Sequence, residues 1–159
     1  MRASVDWKGN LSFKGTADTG FEVPLGADPA VGGDDDGFRP MELMALSLAG
    51  CTAMDVISIL QKKRQDVTNY SVEVDAQRAK DHPKVFTEAE ITYHITGHDI
   101  HEEAVVRSIE LSATRYCPAQ GMLADIIPIR LKYHIYEDQG GGKKTHILSG
   151  EYIPPGDEE

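Results

Sequence analysis

The 159-residue chain has only two cysteines and a shortage of positive charge. Two cysteines are too few for a disulfide-rich secreted scaffold or for a zinc site with four thiolates. Sixteen Lys and Arg against 26 Asp and Glu leave a formal charge of −10, which disfavours binding to nucleic acid. Hydrophobic residues make up 40% of the chain, which excludes wholesale disorder and is typical of a folded domain with a core. The two cysteines are still enough for one redox pair.

Long apolar runs are also scarce, and this bears on the compartment. The first nine residues contain no apolar run that could serve as a secretory signal, so we expect a cytoplasmic protein. Residues 41–60 approach the length of a membrane span but include Glu42 and Asp55. Because carboxylates are costly in lipid, we predict a helix buried in protein and no membrane association.

The hydrophobic pattern predicts both strands and helices in a single domain over residues 1–138, followed by a Gly- and Pro-rich acidic tail over 139–159. The first part of this domain should contain short strands between residues 5 and 25 with a turn at Thr19-Gly20. A loop should follow these strands. Pro40 suits the first position of a long apolar helix that should end near Arg64.

Alternation and helical periodicity organise the second part of the chain. Two alternating segments, 67–78 and 85–96, predict an antiparallel hairpin. The further expected elements are a helix from about residue 99 to 116, a short helix from 118 to about 124, a strand over 129–136 and a weak strand near 146–148.

The positions of the two cysteines favour different chemistry. Cys117 precedes Pro118, so its sulfur should cap a helix N-terminus, where the dipole lowers a thiol pKa. On that ground Cys117 is predicted to be the more reactive thiol. Cys51 lies about three turns inside the long helix, where most cysteines are small core residues. Their separation of 66 residues leaves the pairing open.

Two motifs resemble those of a known superfamily. Residues 39–52 read RPMELMALSLAGCT and are followed by Asp55-Val56, and residues 116–119 read YCPA. Together they resemble the two cysteine motifs of the OsmC/Ohr superfamily, and the first is nearest to its OsmC-like branch. The resemblance implies an α+β, OsmC/Ohr-like fold in which antiparallel sheets wrap around two long central helices. It also implies an intertwined homodimer with its active site at the dimer interface.

The resemblance further implies a cysteine-based thiol peroxidase, an antioxidant enzyme that reduces organic hydroperoxides or hydrogen peroxide. Cys51 would attack the peroxide and become a sulfenic acid, and Cys117 would then form the Cys51–Cys117 disulfide. An external dithiol, such as a dihydrolipoyl protein, would restore both thiols, and no cofactor or metal would be required. This assignment reverses the order of reactivity that the helix dipole predicts.

One position departs from the superfamily pattern. Characterised members carry a catalytic Glu directly after the proline, where this chain has Met41. Glu42 follows one residue later, and a shift of one residue turns a helical side chain by about 100°. We therefore consider Arg39 and Glu42 candidate catalytic residues. Arg115 is a weaker candidate for the arginine that would activate Cys51. The departure keeps two alternatives open: a non-catalytic protein that binds a small hydrophobic ligand at the dimer interface, or a thiol/disulfide-handling protein.

A small cluster of imidazoles offers one further candidate site. His94, His98 and His101 lie within eight residues and could in principle bind a metal. They straddle a predicted strand end and turn, without the spacing that would aim them at one point. We therefore expect surface histidines and no metal site.

Overall fold

The computed structural model describes residues 1–153 of the chain. These residues divide into two compact units, residues 1–46 and a second unit that begins at Ser47. Helices and strands are both present, so the predicted α+β class is confirmed. Residues 154–159, the end of the predicted acidic tail, lie outside the described residues.

The first unit contains a three-stranded antiparallel sheet in the order β1-β2-β3. Its strands are β1 (Ala3–Gly9), β2 (Ser12–Ala17) and β3 (Glu22–Leu25). The predicted turn at Thr19-Gly20 is confirmed, and the Gly20 amide donates to the carbonyl of Ala17 at 2.8 Å. β1 begins two residues before the region 5–25 where short strands are expected, and it reaches β2 through a turn with positive φ at Gly9 and Asn10.

The long apolar helix α1 (Pro40–Lys62) is confirmed, and hydrogen bonds define both its start and its end. At its start, the Arg39 amide donates to the Glu42 carboxylate at 2.9 Å, one half of a capping box. At its end, Arg64 adopts a positive φ of 58°. The amides of Gln65 and Arg64 then bond back to the carbonyls of Leu60 and Gln61, which closes the last turn.

By length and composition alone, α1 could cross a membrane, and only 22% of its most apolar window is buried within the chain. Its buried residues recur every four positions and form one stripe, which comprises Leu48, Thr52, Val56 and Leu60. Thr52 and Asp55 both hydrogen-bond to side chains of other elements. A helix with polar side chains paired in this way is typical of the core of a folded domain.

The second unit contains a four-stranded sheet in the order β4-β5-β6-β7. Its strands are β4 (Asp66–Arg78), β5 (Phe86–His98), β6 (Ile129–Asp138) and β7 (Lys144–Tyr152). The predicted hairpin of β4 and β5 is confirmed, and β6 and β7 also pair antiparallel. β5 and β6 pair in parallel, so the sheet is mixed where an antiparallel sheet was expected.

The parallel pair follows from the helical crossover between β5 and β6, since parallel neighbours need such a connection. The crossover contains α2 (Glu102–Leu111), a π-helical turn (Ser112–Tyr116) and α3 (Pro118–Leu123). The helix predicted to end near Tyr116 thus changes its hydrogen-bonding pattern after Leu111. The core of this unit is built from alternate residues of β5 and β6, among them Ile91, Tyr93, Ile95, Leu131 and Ile135.

The last strand is longer than the sequence pattern predicts. β7 covers nine residues and pairs with β6 from Leu131–Tyr152 to Asp138–Lys144. The glycines 140–142 all have positive φ and turn the chain between the two strands. Much of the predicted tail is therefore part of the sheet.

Candidate active site

The two cysteines, 66 residues apart in the chain, lie close together in the fold. Cys51 is half-buried on α1, and Cys117 is 4% exposed at the N-cap of α3. Both are free thiols, and Cys51 lies near enough to Cys117 to raise the pKa of the Cys117 thiol. The structure thus brings two thiols close together, with Cys51 partly exposed and Cys117 buried.

The surroundings of Cys117 overturn the prediction that its pKa is lowered. Burial, together with the nearby Cys51, raises the pKa of this thiol to about 11. The amides of Gln120 and Ala119 act in the opposite direction, with the Gln120 nitrogen 3.4 Å from Cys117 Sγ. Cys117 does cap α3, as predicted, but α3 has only six residues. Desolvation therefore outweighs the helix terminus.

A buried network of polar side chains lies beside the cysteines. Its centre is Thr52, the residue after Cys51, whose Oγ1 lies 2.6 Å from Tyr93 Oη and 2.9 Å from Ser112 Oγ. Gln120 Nε2 donates to the same oxygen at 3.1 Å. Ser112 Oγ in turn donates to Asp55 Oδ2 at 3.1 Å. The network joins α1, β5, the π-helical turn and α3.

Sequence reasoning did not identify this network. The available signal was the presence of Thr52 and Asp55, three residues apart, in a helix that is otherwise strongly apolar. Their partners on other elements could not be inferred from that spacing.

A tyrosine hydroxyl lies close to the network without joining it. Tyr70 Oη on β4 is buried and, among the described residues, has no hydrogen-bond partner. Burial raises the pKa of Tyr70, and nearby Tyr93 and Asp55 raise it further. Burial likewise raises the pKa of Tyr93. Both phenols are therefore neutral at physiological pH.

Arg39 and Glu42, the other two predicted site residues, lie together in the first unit. The Arg39 guanidinium pairs with Asp35, which raises the pKa of Arg39, and donates to the Gly37 carbonyl at 2.9 Å. Glu42 accepts from the Arg39 main chain rather than from its guanidinium. Arg115, the weaker candidate, places its guanidinium 5.5 Å from the centre of the Tyr116 ring.

The three neighbouring histidines do not converge on one point. His98 Nδ1 lies 3.1 Å from Glu137, and His101 Nε2 lies 3.6 Å from Asp99. His94 stacks on another imidazole of the sheet. Within residues 1–153, no group of three His, Cys, Asp or Glu side chains could hold a metal ion.

Comparison with known proteins identifies the class of protein that has this fold and these two neighbouring free cysteines. Residues 33–132 match the family model described as OsmC-like protein. Protein YhfA of Escherichia coli strain K12 is 34% identical over 135 residues, which cover 85% of this chain and 98% of that protein. The chain belongs to the OsmC-like protein family, and the resemblance seen in the cysteine motifs is confirmed.

Solved structures agree with this assignment at the level of the fold. An OsmC-like protein from Mycoplasma pneumoniae has a TM-score of 0.72 at 18% identity and covers 84% of this chain and 95% of its own. An organic hydroperoxide resistance protein from Elizabethkingia anophelis has a TM-score of 0.62 at 17% identity, with 86% and 94% covered. The OsmC-like fold is thus shared across distant sequences.

Proposed function

We propose that this protein is a cytoplasmic thiol peroxidase that reduces organic hydroperoxides or hydrogen peroxide at Cys51. The observation that carries the proposal is the proximity of Cys51 and Cys117, the two free thiols of the chain. Two thiols held close together by the fold can be oxidised to a disulfide. The name of the E. anophelis protein, an organic hydroperoxide resistance protein, adds support from a shared fold.

The first step is a two-electron oxidation of Cys51. Its thiolate sulfur attacks one peroxide oxygen, an S–O bond forms and the O–O bond breaks. The sulfur becomes a sulfenic acid, and the departing alkoxide takes a proton to leave as an alcohol, or as water from hydrogen peroxide. Cys51 suits this role because it is the more exposed of the two thiols.

The second step joins the two sulfurs. Cys117, whose raised pKa keeps it protonated at neutral pH, displaces the hydroxyl of the Cys51 sulfenic acid. An S–S bond forms, and one water leaves with the Cys117 proton. An external dithiol, of which a dihydrolipoyl protein is our candidate, then reduces the disulfide and is itself oxidised to a disulfide. Burial of Cys117 protects its thiol from direct oxidation by peroxide before the Cys51 sulfenic acid has formed.

Arg39 and Glu42 complete the proposed catalytic set. Arg39 carries the guanidinium that we propose stabilises the thiolate of Cys51. Glu42 acts on Arg39 through the main chain, since its carboxylate holds the Arg39 amide at the start of α1. This arrangement differs from the superfamily pattern, in which the acid directly follows the proline.

The proposal is tested by stopped-flow mixing of the reduced protein with cumene hydroperoxide and with hydrogen peroxide, followed by thiol titration. The wild type should lose two thiols at a rate at least about 100-fold above that of free cysteine. Cys117→Ser should lose one thiol and yield a dimedone-reactive sulfenic acid, whereas Cys51→Ser should react no faster than free cysteine. Oxidation of the wild type at the rate of free cysteine would refute the peroxidase.

Two further variants test the activating residues in the same assay. Arg39→Gln should slow the first step by about 10²-fold, the usual scale of losing one preorganised charge beside a reacting group. Arg39→Lys is the matched control, because it keeps the charge while losing the fork geometry. Glu42→Gln should have a smaller effect than Arg39→Gln. Equal rates in wild type and Arg39→Gln would remove Arg39 from the mechanism.

A second candidate function rests on a different observation. The first unit contains an apolar groove of about 330 Å³ lined mainly by Val5, Leu11, Phe13, Leu25 and Pro40. Such a groove suits a small hydrophobic molecule, as expected of a ligand-binding member of the family. Slow peroxide oxidation together with saturable binding of an apolar fluorescent probe, lost in Phe13→Asp, would favour this function.

A further inference from the structure

We propose that Thr52 is a positioning residue that holds Cys117 against Cys51 for disulfide formation. The inference rests on the proposed function and assigns a role in it to the buried network. Thr52 touches neither sulfur through its hydroxyl, so it would act through the residues around Cys117.

The donors and acceptors of the network can be assigned one by one. The Ser112 hydroxyl has one proton and donates it to the Asp55 carboxylate. The Ser112 oxygen must therefore accept its other hydrogen bond from the Thr52 hydroxyl. Because the Thr52 hydroxyl donates its proton to Ser112, Thr52 Oγ1 must accept a hydrogen bond from the Tyr93 hydroxyl. Its second lone pair accepts from Gln120 Nε2. Thr52 is therefore saturated, with one hydrogen bond donated and two accepted, and the chain of hydrogen bonds ends at the Asp55 carboxylate.

Two arms of this network reach the main chain around Cys117. Gln120 is bound to Thr52 by its side chain, and its amide donates to Cys117 Sγ at 3.4 Å. Ser112 is bound to Thr52 by its hydroxyl, and its carbonyl accepts from the Cys117 amide at 2.9 Å. The residues before and after Cys117 are thus both anchored to the position that directly follows Cys51. Thr52 and its three partners Tyr93, Ser112 and Gln120 are buried, so water does not substitute for a lost partner there.

Thr52→Val removes the hydroxyl at nearly constant volume and leaves three buried groups without their partner. We expect α3 and the π-helical turn to lose their anchor, and the sulfur of Cys117 to sample positions away from Cys51. The local concentration of one thiol around the other then falls. A purely structural role would instead lower overall stability without a selective effect on the two sulfurs.

The test is the equilibrium between the full-length protein and glutathione, which involves no peroxide. One oxidised glutathione converts the two thiols to a disulfide and releases two reduced glutathiones. We expect the equilibrium constant to fall at least about tenfold in Thr52→Val. It should stay within about twofold of wild type in Thr52→Ser, which keeps the hydroxyl. Gln120→Met, which cuts only one arm, should give a drop in the same direction.

Thr96→Val is the matched control, since Thr96 is a buried threonine of β5 outside the network. It should leave the equilibrium constant within about twofold of the wild-type value. An unchanged constant in Thr52→Val, or an equal drop in Thr96→Val, would overturn the inference. Gln120→Met keeps the test decisive if Thr52→Val fails to fold, because its unchanged constant would count equally against the inference.

A peroxide experiment separates this inference from the proposed function. In the Cys117→Ser background, Thr52→Val should leave sulfenic acid formation within about threefold. With Cys117 present, Thr52→Val should slow disulfide formation and raise the yield of dimedone adduct. A wild type that forms the disulfide with glutathione but ignores peroxides would refute the peroxidase while leaving the role of Thr52 intact. Peroxidase activity with no change in either Thr52→Val measurement would refute only the role of Thr52.

Discussion

His134 lies in a row of aromatic side chains on one face of the four-stranded sheet. Its ring stacks on His94 at 5.1 Å between centroids and approaches His146 at 6.0 Å. His134 Nδ1 and His146 Nε2 lie 2.6 and 2.7 Å from the same hydroxyl, Ser149 Oγ. Burial lowers the pKa of His134, and His94 and His146 lower it further. The fold therefore favours the neutral imidazole at this position.

This pKa shift predicts how stability depends on pH. A histidine whose pKa is lowered by folding binds more protons when unfolded, so its contribution to stability falls as the pH drops below about 6.5. We expect the free energy of unfolding to fall between pH 7.5 and pH 5.0 by more in the wild type than in His134→Asn. Urea denaturation at the two pH values measures this difference.

His98→Gln is the control for that measurement, because folding raises the pKa of His98 and lowers that of His134. The hydrogen bond to Glu137 raises the pKa of His98, so its stabilising effect is present at low pH and is lost as the pH rises through the folded pKa. His98→Gln should therefore lose more stability at pH 5.0 than at pH 7.5. Identical pH profiles for wild type and His134→Asn would contradict the assignment to His134.

At the scale of elements, the ends of α1 show how local signals define a helix. Pro40 and the bond from the Arg39 amide to Glu42 start it, in agreement with the sequence pattern. The other end uses Arg64 in the left-handed region, where glycine is the usual residue. The amides of Arg64 and Gln65 satisfy two carbonyls there, so this conformation is needed for the stop.

Arg64→Gly should therefore stabilise the protein. A side chain in the left-handed region costs about 1–2 kcal/mol, which glycine avoids, while glycine makes the unfolded chain more flexible. We expect a net gain of about 0.5–1 kcal/mol in the free energy of unfolding, or roughly 1–4 °C in Tm. Calorimetry or urea denaturation measures it. Arg64→Ala is the control, since it removes the guanidinium but keeps the strain and should show no such gain.

At the scale of the whole molecule, α1 leaves much apolar surface uncovered. Met44, Leu46 and Met54 are 48, 55 and 72% exposed. Exposed apolar surface of this kind commonly marks a protein interface. We propose that a second copy of the chain covers it, in the intertwined homodimer that the family resemblance implies. The second long central helix would then be α1 of the partner.

Met54→Lys should weaken this homodimer. A lysine in an apolar interface must bury an unpaired charge, which costs several kcal/mol. We expect the wild type to sediment as a dimer at micromolar concentration and Met54→Lys to shift toward monomer. Ile147→Lys, a change at another exposed apolar residue on β7, is the matched control and should leave the dimer intact. A monomeric wild type would contradict the homodimer.

How far the sequence predicts this protein depends on how local each signal is. The long helix, the β4–β5 hairpin, the turn at Thr19-Gly20 and the capping position of Cys117 all follow from residues close together in the chain. The bounds of β1 could not be predicted, because the alternation there is weak and its residues are nearly all exposed. The full length of β7 was missed because its partner strand, rather than its own pattern, stabilises it.

The sequence by itself determined the α+β class, the main elements and, through two short motifs, the family. Three features that join distant residues were decided by the tertiary structure: the parallel pairing of β5 and β6, the proximity of the two cysteines and the hydrogen bonds of Thr52. Those bonds span 41 to 68 residues of chain, beyond the reach of any local pattern. Burial also reversed the predicted pKa shift of Cys117, because desolvation depends on all the atoms that surround a group and not on its neighbours in sequence.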